Sequence, residues 1–448
     1  MTIGHSGLHI LALLALLVSA SFASHAQVAS GSAKTYGQHL VEEALARHPN
    51  VIGLDLYTIN SISNDSASLA SAGGHVGQKA TEQELTVMQS GAARIHDVNG
   101  HLHVVVPLQD VVRNMIGVLD IAFADRRSDQ AKAKKEALGI GDELRGRTIE
   151  LTNLSDPFPY DPGFSPNTYG QHLVDLELQQ HPDILVLAMH GKLPGRPESA
   201  ILASSFGRIG KRDDDGDLKA VRTGRPNLAI VKAGNRYNIG LPLMDVVGNT
   251  IGLLTIAFPY KAGDDPANLL RRAEQIRNEL GRRILKIGNI VEPFPYNSRF
   301  AGHYYAQDLI EETLAQYPHL IGLSMRVTPP GSADNVIIAS SFGRIGMMSD
   351  ESDLLLIQSG QHNMKVWPSG DRYSGQVMLH DVSGKTIGSL LVVFPYMPGS
   401  ATGPLLAEAE AVRDGLAARI ASAEQLTSPG QPHDGLDEFS SSFRCVGP

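Results

Sequence analysis

One domain-sized segment occurs three times along the chain, and this repetition constrains the fold more than any other feature. The heptad TYGQHLV at 35–41 returns unchanged at 168–174 and in a looser form at 304–310. Tyr169 follows Tyr36 by 133 residues, and Tyr305 follows Tyr169 by 136 residues. A period of this length is that of a whole domain, so we predict tandem domains and not a solenoid of short repeats.

Two further markers recur in the same order. The octapeptide ASSFGRIG occupies 203–210 and 339–346, with an altered copy at 70–77. A Pro-Leu-x-Asp-Val segment followed by Ile-Gly occurs at 242–252 and 107–117, and its Asp-Val and Ile-Gly parts recur at 381–388. Three ordered markers at one spacing predict three modules, which we place at 33–155, 165–291 and 301–425.

Within a module, the periodicity predicts an α+β (α/β) fold. An amphipathic helix ends before His48-Pro49, since the residue before proline avoids the helical region. Two β-prone runs follow, and then a short helix with Asp217 or Asp353 as its N-cap. Two longer strands joined by a turn and a closing amphipathic helix complete the module. We therefore expect an antiparallel sheet flanked by N- and C-terminal helices.

This order of elements resembles that of PAS-like domains. The strand-turn-strand segment 242–252, Pro-Leu-x-Asp-Val-x-Gly-x-x-Ile-Gly, resembles the last hairpin of the extracytoplasmic Cache (PDC) sensor family. The resemblance extends over nearly all of residues 35–425. It implies a curved antiparallel sheet with helices on one face and a small-molecule pocket on the other. Members of that family are tethered between membrane helices and feed an output domain, whereas for this sequence we expect no second membrane segment and no cytoplasmic domain.

The N-terminal residues have the pattern of a signal peptide. An uncharged apolar run, Leu8–Val18, precedes small residues ending in Ser24-His25-Ala26, so we predict cleavage after residue 26 and a periplasmic or secreted protein. No Lys or Arg precedes the run, which leaves an uncleaved anchor as the alternative. No later segment is long and apolar enough to span a bilayer.

Composition and the C-terminus add further limits. With 42% apolar and 19% charged residues the chain can build packed cores, and a net charge of -9 disfavours a nucleic-acid partner. The single cysteine, Cys445, excludes an intramolecular disulfide. Residues 426–448 are polar and rich in Gly, Pro and Ser, so we predict a disordered tail.

The strongest candidate site is a recurring set of arginines and tyrosines. Two arginines and a tyrosine can hold a carboxylate through bidentate hydrogen bonds, so we predict a small-molecule site of this kind. The candidates are Arg208, Arg236, Tyr237, Arg344, Arg372 and Tyr373. In the first module, His75 and His101 replace the arginines. The alternative is that the arginines pair with acids such as Asp213–Asp215 or with backbone carbonyls and hold the modules together.

Other recurring residues favour structural roles. Asp110, Asp245 and Asp381 precede a turn, where an aspartate bonds its own downstream backbone. The acidic run 213–217 lacks the ligand spacing of a calcium loop, and no histidine lies in a recognised metal-binding spacing, so we predict neither a metal nor a cofactor. Ser204, Ser205, Ser340 and Ser341 lack a nucleophile elbow.

Three functional classes remain. The first is an exported, sensor-like, small-molecule-binding protein without an output domain, which would signal through an envelope or membrane-receptor protein. The second is an envelope interaction protein that uses three rigid modules as a docking surface. An enzyme is the third and the least supported, because no catalytic arrangement recurs.

Overall fold

The computed structural model describes residues 34–59, 66–124, 129–231, 235–300 and 302–431. The predicted signal peptide and Cys445 lie outside these ranges. Within them, no helix combines the length and apolar character that a membrane span requires.

Three modules with one element order follow each other along the described chain. Module 1 comprises α1 (Tyr36–Arg47), β1 (Val51–Ile59), β2 (Ser66–Ser71), α2 (Glu82–Ser90), β3 (Arg94–Val98), β4 (His101–Gln109), β5 (Met115–Phe123) and α3 (Gln130–Gly146). Module 2 comprises α4 (Tyr169–Gln180), β6 (Val186–Gly191), β7 (Ala200–Ser204), α5 (Asp215–Thr223), β8 (Asn227–Val231), β9 (Arg236–Met244), β10 (Thr250–Pro259) and α6 (Pro266–Arg282). Module 3 comprises α7 (Tyr305–Gln316), β11 (Gly322–Val327), β12 (Val336–Ser340), α8 (Glu351–Ser359), β13 (Lys365–Val366), β14 (Arg372–His380), β15 (Thr386–Pro395), α9 (Gly403–Ala417) and α10 (Ala423–Leu426).

Each module is built on a five-stranded antiparallel sheet. The strand orders are β2-β1-β5-β4-β3, β7-β6-β10-β9-β8 and β12-β11-β15-β14-β13, so the first strand of a module lies beside its last. The predicted α+β fold of three tandem modules is confirmed. The sequence missed the edge strand β3 and its equivalents β8 and β13. Their residues are exposed or only partly buried, so they lack the apolar alternation that marks a strand.

The long helices α1 and α3 cover one face of the first sheet, which we call the outer face. Alternate residues of the strands point to it, and Leu54, Leu56, Leu119 and Ile121 are almost completely buried there. Burying a side chain of this size contributes about 1.5–3 kcal/mol. The outer face therefore supplies most of the apolar stabilisation of the module, and modules 2 and 3 repeat it.

The short helix of each module lies on the opposite face, which we call the inner face; in modules 1 and 2 it packs on the sheet, and in module 3 it contacts the sheet through Asp353. In module 2 the helix begins at Asp215, and its N-cap is Asp214, not the predicted Asp217. The Asp214 side chain accepts the backbone N–H of Asp217 at 2.9 Å. This capping interaction puts Asp217 in the first turn, and module 3 likewise has Asp350 as the N-cap and Asp353 in the first turn.

The end of module 3 differs from the sequence expectation. Disorder was predicted from residue 426, yet Leu426 is completely buried, and Pro429 forms a β-bridge with Tyr304. Pro157 and Pro293 make the same bridge to Thr35 and Thr168 in modules 1 and 2. The prediction was wrong for 426–431 because composition does not reveal this pairing, and the rest of the tail lies outside the described residues.

One glycine per module allows the first and last strands to approach closely. A Cβ on Gly117, Gly252 or Gly388 would overlap a backbone carbonyl oxygen of the first strand of its module. For Gly252 this is the carbonyl of His190. Only glycine fits at this point, because the obstacle is backbone and cannot rotate away.

Gly252→Ala is therefore expected to lower the free energy of unfolding by about 2–3 kcal/mol, measured by urea denaturation. Gly139→Ala is the matched control, because Gly139 lies in α3 with open space where the Cβ would be. That control should raise the stability by about 0.5–1 kcal/mol. Equal effects of the two substitutions would contradict the close approach of the strands.

Candidate functional site

The inner faces carry polar groups at equivalent positions in all three modules. The first strand presents Tyr57, His190 or Arg326 near its end. The first turn of the short helix presents the equivalent acids Glu84, Asp217 and Asp353. A basic or phenolic side chain and a carboxylate are therefore the shared elements of the inner face, and their surroundings differ from module to module.

In module 1 a row of titratable side chains crosses the inner face. The rings of His96 and His103 lie 5.4 Å apart, and His103 Nδ1 lies 3.0 Å from Asp120 Oδ1. Asp55 pairs in register with Asp120, and His75 Nδ1 lies 2.8 Å from Asp55 Oδ2. The hydrogen bond to Asp120 raises the pKa of His103. Three imidazoles and two carboxylates thus form a row across the sheet, with the carboxylates in adjacent positions, and His96, His103 and Asp120 are close enough to share a metal ion.

In module 2 the inner face carries a compact buried cluster. His190 Nδ1 lies 2.7 Å from Asp213 Oδ1, and the Thr255 hydroxyl lies 3.3 Å from His190 Nε2. Burial raises the pKa of Asp217, which completes the cluster. His190 comes from β6 and Asp213 from the segment before α5, so the fold unites groups that are 23 residues apart.

In module 3 a guanidinium takes the place of the imidazole. Arg326 Nη1 lies 3.1 Å from Ser349 Oγ and 3.3 Å from Asp353 Oδ2. The Gln376 amide also donates to Asp353. One fixed cation therefore faces one carboxylate in this module.

Several buried polar atoms on the inner faces have no hydrogen-bond partner among the described residues. Each such atom costs about 1–3 kcal/mol if it stays unsatisfied. They are Asp55 Oδ1 and His96 Nδ1 in module 1, Asp213 Oδ2 in module 2, and Gln376 Oε1 and Ser389 Oγ in module 3. Their location on the inner faces of all three modules indicates where a polar ligand or solvent would bind.

The arginines predicted from the sequence lie elsewhere, at the joints between modules. Arg208 of module 2 donates to Asp156, which follows module 1. Arg344 of module 3 donates to both oxygens of Glu292 at 2.6 and 2.7 Å. Each guanidinium therefore binds an acid that directly follows the preceding module, as in the alternative interpretation of the sequence, although the acids are not those of 213–215.

The second pair of arginines also crosses the joints. Arg236 Nη1 donates to the carbonyl oxygen of Ile149 at 2.9 Å, and Arg372 Nη1 donates to that of Leu285 at 2.9 Å. Arg372 Nη2 also donates to Asp245 Oδ2 at 2.7 Å. Because the two joints share the bonds to these backbone carbonyls and the acid bonds of Arg208 and Arg344, consecutive modules are placed on each other in a similar way.

The predicted tyrosines do not join the arginines. Successive residues of a strand point to opposite faces, so Tyr237 and Tyr373 lie in the outer-face cores next to Arg236 and Arg372 in sequence. The six predicted residues therefore do not converge on one pocket. Their assignment to a carboxylate ligand stays a prediction that the geometry does not favour.

The histidines of module 1 differ from the equivalent arginines of modules 2 and 3 in their surroundings. His75 and His101 take the positions of Arg208 and Arg236 in module 1, and both residues are exposed. Arg208 and Arg344 adopt positive φ angles of 63° and 70°, while His75 is not among the non-glycine residues with positive φ. The strained backbone conformation is thus associated with the joint.

The recurring aspartates behave as the sequence predicted. Asp245 Oδ1 accepts the backbone N–H groups of Val247 and Asn249, both at 3.0 Å. Asp110 and Asp381 accept from the equivalent positions of their turns. Their turn-stabilising role is confirmed, and Asp245 adds the contact with Arg372.

The comparisons with known proteins leave the ligand open. No family model matches the chain, and no curated protein matches it significantly. The E. coli DhaR(N)-DhaL complex is 13% identical with a TM-score of 0.20, covering 51% of this chain and 84% of that one. The photosensory core module of Stigmatella aurantiaca phytochrome is 12% identical with a TM-score of 0.19, covering 53% and 57%. PelD of Pseudomonas aeruginosa is 13% identical with a TM-score of 0.19, covering 57% and 80%. TM-scores this low assign neither a ligand nor an activity.

The sequence reasoning missed the inner-face groups. Asp55, His103, His190 and Arg326 lie at alternate positions of strands, where a polar residue interrupts an otherwise apolar run. Such an interruption is the sequence signal that indicates a polar group on the face of the sheet. Residues that the three copies share do not reveal these groups, because the inner faces are where the copies differ.

A separate titratable cluster lies on the outer face of module 2. Glu177 of α4 is completely buried, and neither of its carboxylate oxygens has a hydrogen-bond partner among the described residues. His181 Nε2 lies 3.7 Å from it. Burial raises the pKa of Glu177 to about 7. Ala44 and Thr313 take this position in modules 1 and 3.

Arg372→Ala is expected to lower the free energy of unfolding by about 3 kcal/mol, because both it and Asp245 are buried and the substitution breaks a buried pair. The control is Arg272→Ala, whose partner Asp183 is half exposed, and it should cost less than about 1 kcal/mol. Both values come from urea unfolding. If Arg372→Ala lowers the free energy of unfolding no more than the control does, the buried Arg372–Asp245 pair does not stabilise the joint.

Glu177 makes the stability depend on pH. Its folded pKa is raised from 4.5 to about 7, so the folded chain holds a proton that the unfolded chain releases, and stability falls as the pH rises through this window. Glu177→Gln should abolish that fall, which amounts to about 3 kcal/mol at most. Unfolding midpoints between pH 4 and pH 8 measure it. The control is Glu82→Gln, an exposed change on α2, which should leave the dependence of stability on pH unchanged. If Glu177→Gln keeps the wild-type pH dependence, the raised pKa of Glu177 is not its cause.

Proposed function

We propose that the chain is an exported, non-catalytic binding protein whose sensor-like modules hold small ligands on their inner faces. The observation that carries the proposal is the set of buried, unpartnered polar atoms on these faces, from Asp55 in module 1 to Ser389 in module 3. A polar ligand would satisfy them and offset the cost of their burial. The proposed relation to the Cache family rests on the hairpin segment at 242–252.

The modules would take different ligands, because their inner faces share positions but not chemistry. Module 1 offers imidazoles and carboxylates, module 2 one imidazole and carboxylates, and module 3 a guanidinium with one carboxylate, an amide and a hydroxyl group. A carboxylate-bearing ligand suits module 3 best, because Arg326 is an inner-face arginine. The divergence also disfavours an enzyme with one repeated catalytic arrangement.

Export is part of the proposal and rests on the apolar run Leu8–Val18 and the small residues before position 27. A binding protein in the periplasm would pass its signal to an envelope or membrane-receptor protein. The repeated arginine joints support this, because they fix the distance between the inner faces and any docking surface.

A second candidate function is docking to a protein partner. Helix α8 has no buried residue, and Leu354 and Leu355 are exposed on it. Leu228 and Ile230 are exposed on the edge strand β8. Exposed apolar residues of this kind suit a protein interface.

A thermal-shift screen of the full chain tests the proposal. The library contains small carboxylates, amino acids, amines and purines, with EDTA present, and at least one compound should raise the melting temperature, because a ligand that prefers the folded state stabilises it. The shift should disappear in one of His103→Asn, Thr255→Val or Arg326→Gln, which identifies the module.

Arg272→Ala is the control for this screen, because its side chain pairs with Asp183 on the surface and should leave every shift unchanged. A library that produces no shift would refute small-molecule binding of these classes. Pull-down of an envelope protein that fails with Leu354→Asp and Leu355→Asp would then support docking.

A further inference from the structure

The balance of charge distinguishes the inner face of module 2. In module 3 one guanidinium, Arg326, faces one carboxylate, Asp353, and the hydroxyl of Ser349. The equivalent positions of module 2 hold His190, Asp217 and Asp213. A single imidazole therefore faces two carboxylates, and module 2 has an excess of acid where module 3 has a fixed cation.

Burial makes this excess costly. The side chains of His190 and Asp213 are 5% and 1% exposed. Asp213 Oδ2 has no hydrogen-bond partner among the described residues, although its other oxygen contacts His190. Carboxylates buried side by side repel each other, and a cation between them removes both the repulsion and the unpaired oxygen.

The donor atoms fit a divalent transition metal. The ligand atoms of His190, Asp213 and Asp217 all lie within 4.8 Å of one another. Tetrahedral zinc, with bonds of about 2.0–2.1 Å, needs ligand atoms about 3.3 Å apart. Small side-chain rotations would bring the three ligand atoms to this spacing. One imidazole nitrogen with carboxylate oxygens suits zinc and its neighbours, whereas calcium prefers oxygen ligands alone.

Thr255 would act as the outer partner of this site. Its hydroxyl lies 3.3 Å from His190 Nε2, so it fixes the ring with Nδ1 toward the carboxylates. Metal-binding histidines commonly have such a partner on the second ring nitrogen.

We propose that His190, Asp213 and Asp217 bind a divalent transition-metal ion of the zinc class, which takes the place that the Arg326 guanidinium has in module 3. This inference rests on the proposed function, because it names the ligand class of one inner face. The sequence did not predict the site, since the acidic run 213–217 alone lacks a metal-binding spacing and His190 comes from another strand.

Calorimetric titration of the EDTA-treated full chain with Zn²⁺ tests the proposal. The double variant His190→Arg/Asp213→Ser gives module 2 the residues of module 3, so it should fold and bind one equivalent fewer than the wild type. Thr255→Val should keep the stoichiometry and weaken the affinity about 10–100-fold. Zn²⁺ should also raise the melting temperature of the wild type and not that of the double variant.

His103→Asn is the matched control, because it changes the other histidine cluster on module 1 and should leave the module 2 equivalent in place. If the double variant fails to fold, Asp213→Asn replaces it, with the same loss of one equivalent expected. Absence of Zn²⁺ binding by the wild type, or wild-type stoichiometry and affinity in the double variant, would overturn the proposal. The small-molecule screen is run in EDTA, so its outcome is independent of this one.

Discussion

The contact between an arginine of one module and the end of the preceding module is the interaction on which the rest of the structure depends. Arg372 is almost completely buried, and it binds both a backbone carbonyl and the Asp245 carboxylate across the joint. Arg236 repeats the carbonyl contact at the first joint. A buried guanidinium that satisfies fixed acceptors tolerates little displacement, so the joints hold the modules at a set spacing.

The joints also determine which surfaces stay open. Val111 in the β4–β5 turn of module 1 packs against Val186 and Ala188 on the inner face of module 2. Module 1 has Asp55 at the position of Ala188, and there the inner face carries the row of histidines and aspartates. At the other end, Val382 is exposed at the position of Val111. At this position the residue that Val111 covers, Ala188, is apolar, and its equivalent in module 1, Asp55, is charged.

Comparison of the three modules separates the packing constraint on the outer face from the freer variation of the inner face. The outer face must bury helices in every module, so its residues stay apolar and large. The inner face carries one short helix instead of two long ones, and Tyr57, His190 and Arg326 differ in charge at one position. Duplicated domains under different selection would diverge in this way, which fits three modules with different binding chemistry on one scaffold.

The sequence by itself determined the number of modules, the order of most elements and the turn role of Asp245, because these depend on local periodicity and on residues that recur. Only the tertiary structure decided which residues come together at the joints and on the inner faces. Strand alternation placed Tyr237 on the face opposite Arg236, and packing of separate modules gave Arg208 and Arg344 their acids. The pairing of distant segments likewise joined His190 to Asp213, since such contacts depend on register and docking, which no local pattern encodes.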